Sequence, residues 1–166
     1  MKDLVQDAIN EQIKAELSSA YTYLAMAARM EARNLKGFGN WLRVQWEEEL
    51  AHAMKLYDFV LQRGGRVSLK ALPAPDAGND SLTALFECVL EMECDNTSKI
   101  HALYDLAVKE RDYPLQTVLH WFIDEQVEEE DLVGDIIEKL RLVGDSGPNL
   151  FLLDQEMAAR TVESAK

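Results

Sequence analysis

Apolar residues recur at alternating intervals of three and four along four stretches of the chain, the spacing of a helix face packed against a shared core. The first predicts a helix from about Asp3 to Arg33, with Ile9, Ile13, Ala20, Tyr23, Ala27 and Met30 on that face. A second covers about Gly37 to Arg63, with Phe38, Leu42, Leu56 and Phe59 in register. The third spans about Ser81 to Arg111 (Leu82, Phe86, Val89, Ile100, Leu103, Ala107), and the fourth about Pro114 to Val143 (Leu115, Leu119, Phe122, Val133, Ile136, Leu140). Strand signals are absent. A shorter run, Leu150-Phe151-Leu152-Leu153, predicts a fifth helix from about Asn149 to Arg160. It is too apolar to face water, and burial against other copies of the chain is expected ahead of packing on the bundle's end.

The connections fix a topology. Only Asn34-Leu35-Lys36-Gly37 separates the first two helices, and only Asp112-Tyr113 precedes Pro114, a residue suited to a first helical position. Each short link makes an antiparallel pair. Residues 64–80 are different: a loop of this length, extended, reaches up to about 56 Å, whereas a helix of about 28 residues is about 42 Å long. It can cross the whole bundle, so the helices run up, down, down, up. The expected fold is all-α, a four-helix bundle over about 3–143 with a long crossover between helices 2 and 3 and a short fifth helix over about 149–160, all within one domain, 1–166.

Polar residues interrupt every stripe near the middle of its helix: Glu16, then Glu49 and His52, then Glu93 and Asn96, then Gln126 and Glu129. Mid-helix positions of a bundle lie at one level, so these groups should meet in one core layer. Carboxylates buried side by side cannot all ionise without large desolvation and repulsion costs. Two divalent cations would neutralise them. Glu49 and His52, three residues apart, lie about 60° apart around the helix axis and can reach one ion. Oxygen-rich ligation with one nitrogen suits iron or manganese better than structural zinc.

Charge and composition narrow the function. Thirty acidic residues against 17 basic ones give a formal charge of −13, which repels nucleic acid and attracts cations. No apolar run approaches the length of a membrane span or the core of a signal peptide, so a cytoplasmic protein with no membrane partner is expected. Cys88 and Cys94 lie six apart on one predicted helix and are expected to be reduced, semi-buried packing residues. His101 and His120 fall off the stripes and should lie at a surface or interface.

Over nearly its whole length the chain resembles the prokaryotic non-haem ferritins. The resemblance is carried by the helix order, the crossover length and four motifs: Asn10-Glu11-Gln12-Ile13-Lys14-Ala15-Glu16, Glu48-Glu49-Leu50-Ala51-His52-Ala53, Glu93, and Glu125-Gln126-Val127-Glu128-Glu129-Glu130. It implies iron storage with ferroxidase activity: Fe(II) oxidised by dioxygen or peroxide at a dinuclear site, and ferric mineral laid down inside a hollow 24-subunit homo-oligomer. By the same resemblance Glu16, Glu49 and His52 hold the first iron, and Glu49 bridges to a second held also by Glu93. Gln126 sits beside the pair. Glu48, Glu125 and Glu129, with Glu128, match a third iron site. Tyr23 and Trp121 match aromatic positions near the centre, where the Tyr23 phenol would hydrogen-bond a ligand or supply an electron.

Related families fit less well. Bacterioferritins carry Met after the bridging Glu as a haem ligand and a second Glu-x-x-His on the fourth helix; Leu50 and Gln126-x-x-Glu129 stand here, so no haem is expected. Rubrerythrin-like peroxidases carry paired C-x-x-C motifs, and the chain has none.

Overall fold

In the structure, a computed structural model that describes residues 1–78, 80–144 and 146–162, five helices follow in order: α1 (Asp3–Ala32), α2 (Lys36–Gln62), α3 (Leu82–Glu110), α4 (Tyr113–Val143) and α5 (Pro148–Met157). The boundaries have local causes. Ser81 Oγ accepts from Ala84 N at 3.3 Å and starts α3, while Asp112 Oδ1 accepts from Leu115 N at 3.1 Å and starts α4. Arg111, in the left-handed region with φ of 55°, ends α3 and turns the chain within two residues. Arg63 ties the end of α2 to that turn through a paired contact with Asp112, at 2.7 and 3.1 Å.

Ion pairs report the helix directions. Lys2, before α1, reaches Glu110 at the end of α3 at 2.7 Å, and Arg29 near the end of α1 donates to the Gly78 carbonyl just before α3 at 2.9 Å. α1 and α3 are therefore antiparallel, as the up-down-down-up reading requires. The crossover lies along α1, whose polar side chains hold its backbone. Gln6 Oε1 accepts from Arg66 N at 2.7 Å, Asn10 Oδ1 accepts from Ser68 N at 2.9 Å, and Asn10 Nδ2 donates to Arg66 O at 3.1 Å.

The apolar stripes form two separate cores. One, around Phe38, Phe86, Leu140 and Met30, fills the end of the bundle beside α5; the other, around Ile9, Leu56, Ile100 and Leu119, fills the opposite end. Between them lies the polar layer. α2 and α4 approach each other mainly through side chains, with no Cα pair within 8 Å among the described residues, so their seam is open.

α5 divides the expectation made for it. Leu150, Leu153 and Met157 are buried on the end of the bundle, whereas Phe151 and Leu152 remain 61% and 62% exposed. It seats against Gly37 so closely that a Cβ there would stand 1.5 Å from the Asp154 carbonyl oxygen. Phe38 N donates to Asp154 Oδ1 at 3.0 Å and holds the same contact. The helix ends at Met157 rather than Arg160, and Arg160 takes a different role described below. Cys88 is half-buried as expected, but Cys94 is exposed, because its position on α3 faces away from both cores. His101 and His120 are exposed, and the His120 ring meets the Tyr104 hydroxyl at 3.0 Å.

Candidate metal centre

Each of the four bundle helices delivers its mid-length polar residues to the layer between the two cores. Glu16, Glu49, His52, Glu93, Gln126 and Glu129 are all at most 3% exposed. One oxygen or nitrogen from each of Glu16, Glu49 and His52 lies within 4.8 Å of the others, a spacing that one cation can bridge. His52 Nδ1 stands 3.9 Å from Glu49 Oε2.

The flanking carboxylates are held by hydrogen-bond donors. Gln12 Nε2 donates to Glu16 Oε1 at 2.7 Å, and Asn96 Nδ2 donates to Glu16 Oε2 at 3.2 Å. Tyr23 donates its hydroxyl proton to Glu93 Oε1. Gln126 Nε2 donates to Glu93 Oε2 at 3.2 Å, and its Oε1 accepts from Asn96 at 3.4 Å. A chain of amides thus orients the outer carboxylates across α1, α3 and α4 before any ion arrives.

Glu49 is the exception. Among the described residues, neither of its oxygens has a hydrogen-bond partner, nor does His52 Nδ1. Leaving buried polar atoms bare costs about 1–3 kcal/mol each, more for a charged group. Their donor chemistry fits a cation: two hard carboxylate oxygens and an imidazole lone pair. Burial, then the charges of Glu93 and Glu16, push the Glu49 pKa well above the carboxylate range. Burial likewise raises Glu93, against the hydrogen bonds from Tyr23 and Gln126 that lower it. It also pulls His52 down, so the imidazole is neutral near pH 7 and free to ligate. The Tyr23 phenol is pushed well up, first by burial and then by the charge of Glu93, and stays protonated. His52 packs edge-on against Trp121, with ring centroids 5.3 Å apart, which fixes the ring plane.

Glu48, Glu125 and Glu128 lie beside this layer and, with Glu129 at its edge, line a cleft where the α2–α4 seam opens. Glu129 is the buried member; Gln45 Nε2 donates to its Oε2 at 2.8 Å, and burial with the charge of Glu93 raises its pKa to about 8. Three participants carried no role in the sequence reading. Gln12 and Gln45 lie on core-facing positions and had a positional signal, whereas Arg160, which pairs with Glu48 at 2.6 Å, had none because its helix ends before it.

Comparison with known proteins identifies the family. Residues 6–143 match the family model described as a ferritin-like domain. The chain is 39% identical over 160 residues to a bacterial non-heme ferritin of Staphylococcus saprophyticus, covering 96% of each, and 34% identical to that of Staphylococcus aureus over 95% of each. Among solved structures, an open-pore ferritin of the hyperthermophilic archaeon Archaeoglobus fulgidus superimposes with a TM-score of 0.95 at 48% identity, covering 97% of this chain and 99% of its own. An engineered closed form of the Archaeoglobus fulgidus ferritin gives 0.95 at 47% identity, with 98% and 99% covered. With a family model spanning most of its length and relatives matched end to end, the chain belongs to the ferritin family.

Proposed function

We propose that this ferritin oxidises Fe(II) at a dinuclear centre in the polar layer and passes the product inward to a stored ferric mineral. Iron storage is the function that family membership carries. The observation supporting the finer reading is the bare pair of Glu49 oxygens beside the bare Nδ1 of His52, buried and without donors. A carboxylate with both oxygens open can bridge two ions. Glu16 and His52 complete the ligands of one Fe(II), and Glu93 those of the other. Two adjacent Fe(II) ions supply the two electrons that reduce dioxygen to peroxide, and each leaves as Fe(III).

The remaining residues have supporting roles. Gln126 holds Glu93 and lies near the position of the oxidant. Tyr23 keeps Glu93 oriented and is placed to supply an electron. The centre carries a single imidazole and otherwise oxygen donors, which stabilise Fe(III) and suit a site that passes iron through. Glu48, Glu125, Glu128 and Glu129 form a third iron site along the cleft, on the way out of the layer. A mineral needs a cavity that one bundle lacks, so the working form is a homo-oligomeric shell of 24 subunits. The exposed Phe151 and Leu152 of α5 are suited to burial between its subunits. None of the described helices is long and apolar enough to cross a membrane; a cytoplasmic setting is part of the same proposal.

The experiment adds Fe(II) aerobically to the metal-free protein while oxidation rate, iron per chain and assembly size are followed together. Rapid oxidation and uptake far beyond two irons per chain are expected. Glu16→Ala or His52→Ala should slow the rapid phase by at least about 100-fold with assembly intact. Unchanged fast oxidation in both variants removes the centre, and uptake that stops near two irons per chain removes storage.

A further inference from the structure

The acidic cleft on the α2–α4 seam is occupied by a cation belonging to the chain. The cleft has a volume of about 520 Å³ and is walled by Glu48, Glu125, Glu128, Glu129, Asp131 and Asp135. Arg160 enters it from the segment after α5. Its Nη2 donates to Glu48 Oε2 at 2.6 Å, and its guanidinium lies 4.4 Å over the Trp41 ring. Asn40 Nδ2 anchors the segment by donating to the Arg160 carbonyl at 3.0 Å. The pair is mostly shielded, with side-chain exposures of 16% for Arg160 and 13% for Glu48.

Two unmatched groups show that the guanidinium fills this place imperfectly. Its Nη1 is buried with no acceptor among the described residues. Gln45, 0% exposed, donates through its amide nitrogen to Glu129, while its Oε1 has no donor among the described residues. The guanidinium, held against Trp41 and Glu48, makes no hydrogen bond to this oxygen. A compact multivalent cation is better matched than a guanidinium to the carboxylate oxygens of Glu48 and Glu129 and the amide oxygen of Gln45.

We propose that Arg160 is a tethered counter-cation that competes with metal ions for the Glu48–Glu129 end of the cleft. Metal leaving the buried layer through this seam displaces the guanidinium from Glu48, and the guanidinium closes the place again when the metal has gone. The role given to this traffic rests on the proposed function, but the competition itself holds for any divalent cation. Asn40 and Trp41 keep the displaced side chain close by, so its effective concentration stays high.

Zn(II), which cannot be oxidised, tests the competition without any turnover. In a Glu16→Ala/His52→Ala background, which disables the buried centre, bound Zn(II) is counted per chain on the intact assembly by equilibrium dialysis. Arg160→Gln should tighten cleft binding by about tenfold, the loss of one shielded charge-assisted pair. Adding Glu48→Gln should abolish the gain. Asn40→Ala leaves every charge in place and should shift binding in the same direction. Crystals of the Arg160-containing protein soaked in Zn(II) should show metal between Glu48 and Glu129 with the guanidinium off Glu48. Identical isotherms with and without Arg160, or a gain that survives Glu48→Gln, overturn the proposal. Failure of Fe(II) oxidation in the unmutated protein, with the Zn(II) shift present, would refute the ferroxidase reading and leave the competition standing.

Discussion

Replacing Glu129 with Gln should change how the stability of the metal-free protein depends on pH, by an amount that the structure sets. Glu129 is 2% exposed, and burial, together with the charge of Glu93, moves its pKa from the ordinary 4.5 to about 8. Between those values the folded state keeps a proton that the unfolded state releases. The contribution of Glu129 to stability is therefore greatest below about pH 4.5 and falls as pH rises, until the folded carboxyl ionises near pH 8 and the loss levels off. At about 1.4 kcal/mol for each tenfold change in proton affinity, the full loss is about 5 kcal/mol. The amide of the Glu129→Gln variant has no proton to lose and can still accept the Gln45 amide hydrogen. Chemical denaturation at fixed protein concentration, from pH 5 to 9, should show the variant's stability relative to the unmutated protein growing by about 4 kcal/mol. Parallel profiles, or a difference that shrinks with pH, would refute the claim that this carboxyl is buried against its charge.

Gly37→Ala places a methyl 1.5 Å from the Asp154 carbonyl, so hydrogen exchange should speed up across α5 while α1 and α3 keep their protection; unchanged exchange in α5 would mean the seat is not this tight. Asp112→Ala removes the cap of α4 and both contacts to Arg63, which should cost about 1–3 kcal/mol in the pH 7 denaturation free energy. Tyr23→Phe takes away a hydrogen bond that holds the Glu93 pKa down; the pH at which Fe(II) oxidation reaches half its maximum should move upward, and an unchanged pH profile would count against the contact.

The sequence was legible where a periodic face had to meet another. The four helices and the crossover follow from stripe spacing and link length, and the polar layer follows because mid-helix interruptions share a level. Glu16, Glu49, His52, Glu93 and Gln126 do come together in that layer. What escaped the reading depends on contacts without a period. Arg160 reaches Glu48 only because Gly37 lets α5 sit down and Asn40 holds the segment that follows. The support given to Glu16 by Gln12 needs a rotamer rather than a register, since several polar residues on α1 share its general direction. The exposure of Cys94 had the same origin, because a residue one step off a stripe belongs to the core or the surface according to how closely the neighbouring helix packs.

Anomalous diffraction at the iron edge, from crystals of the metal-free protein soaked in Fe(II) without oxygen, locates the bound iron itself. Two iron peaks are expected in the polar layer of every subunit, one among Glu16, Glu49 and His52 and one between Glu49 and Glu93. Iron bound only at surface carboxylates, with the layer still free of metal at saturating Fe(II), would contradict the proposed dinuclear centre.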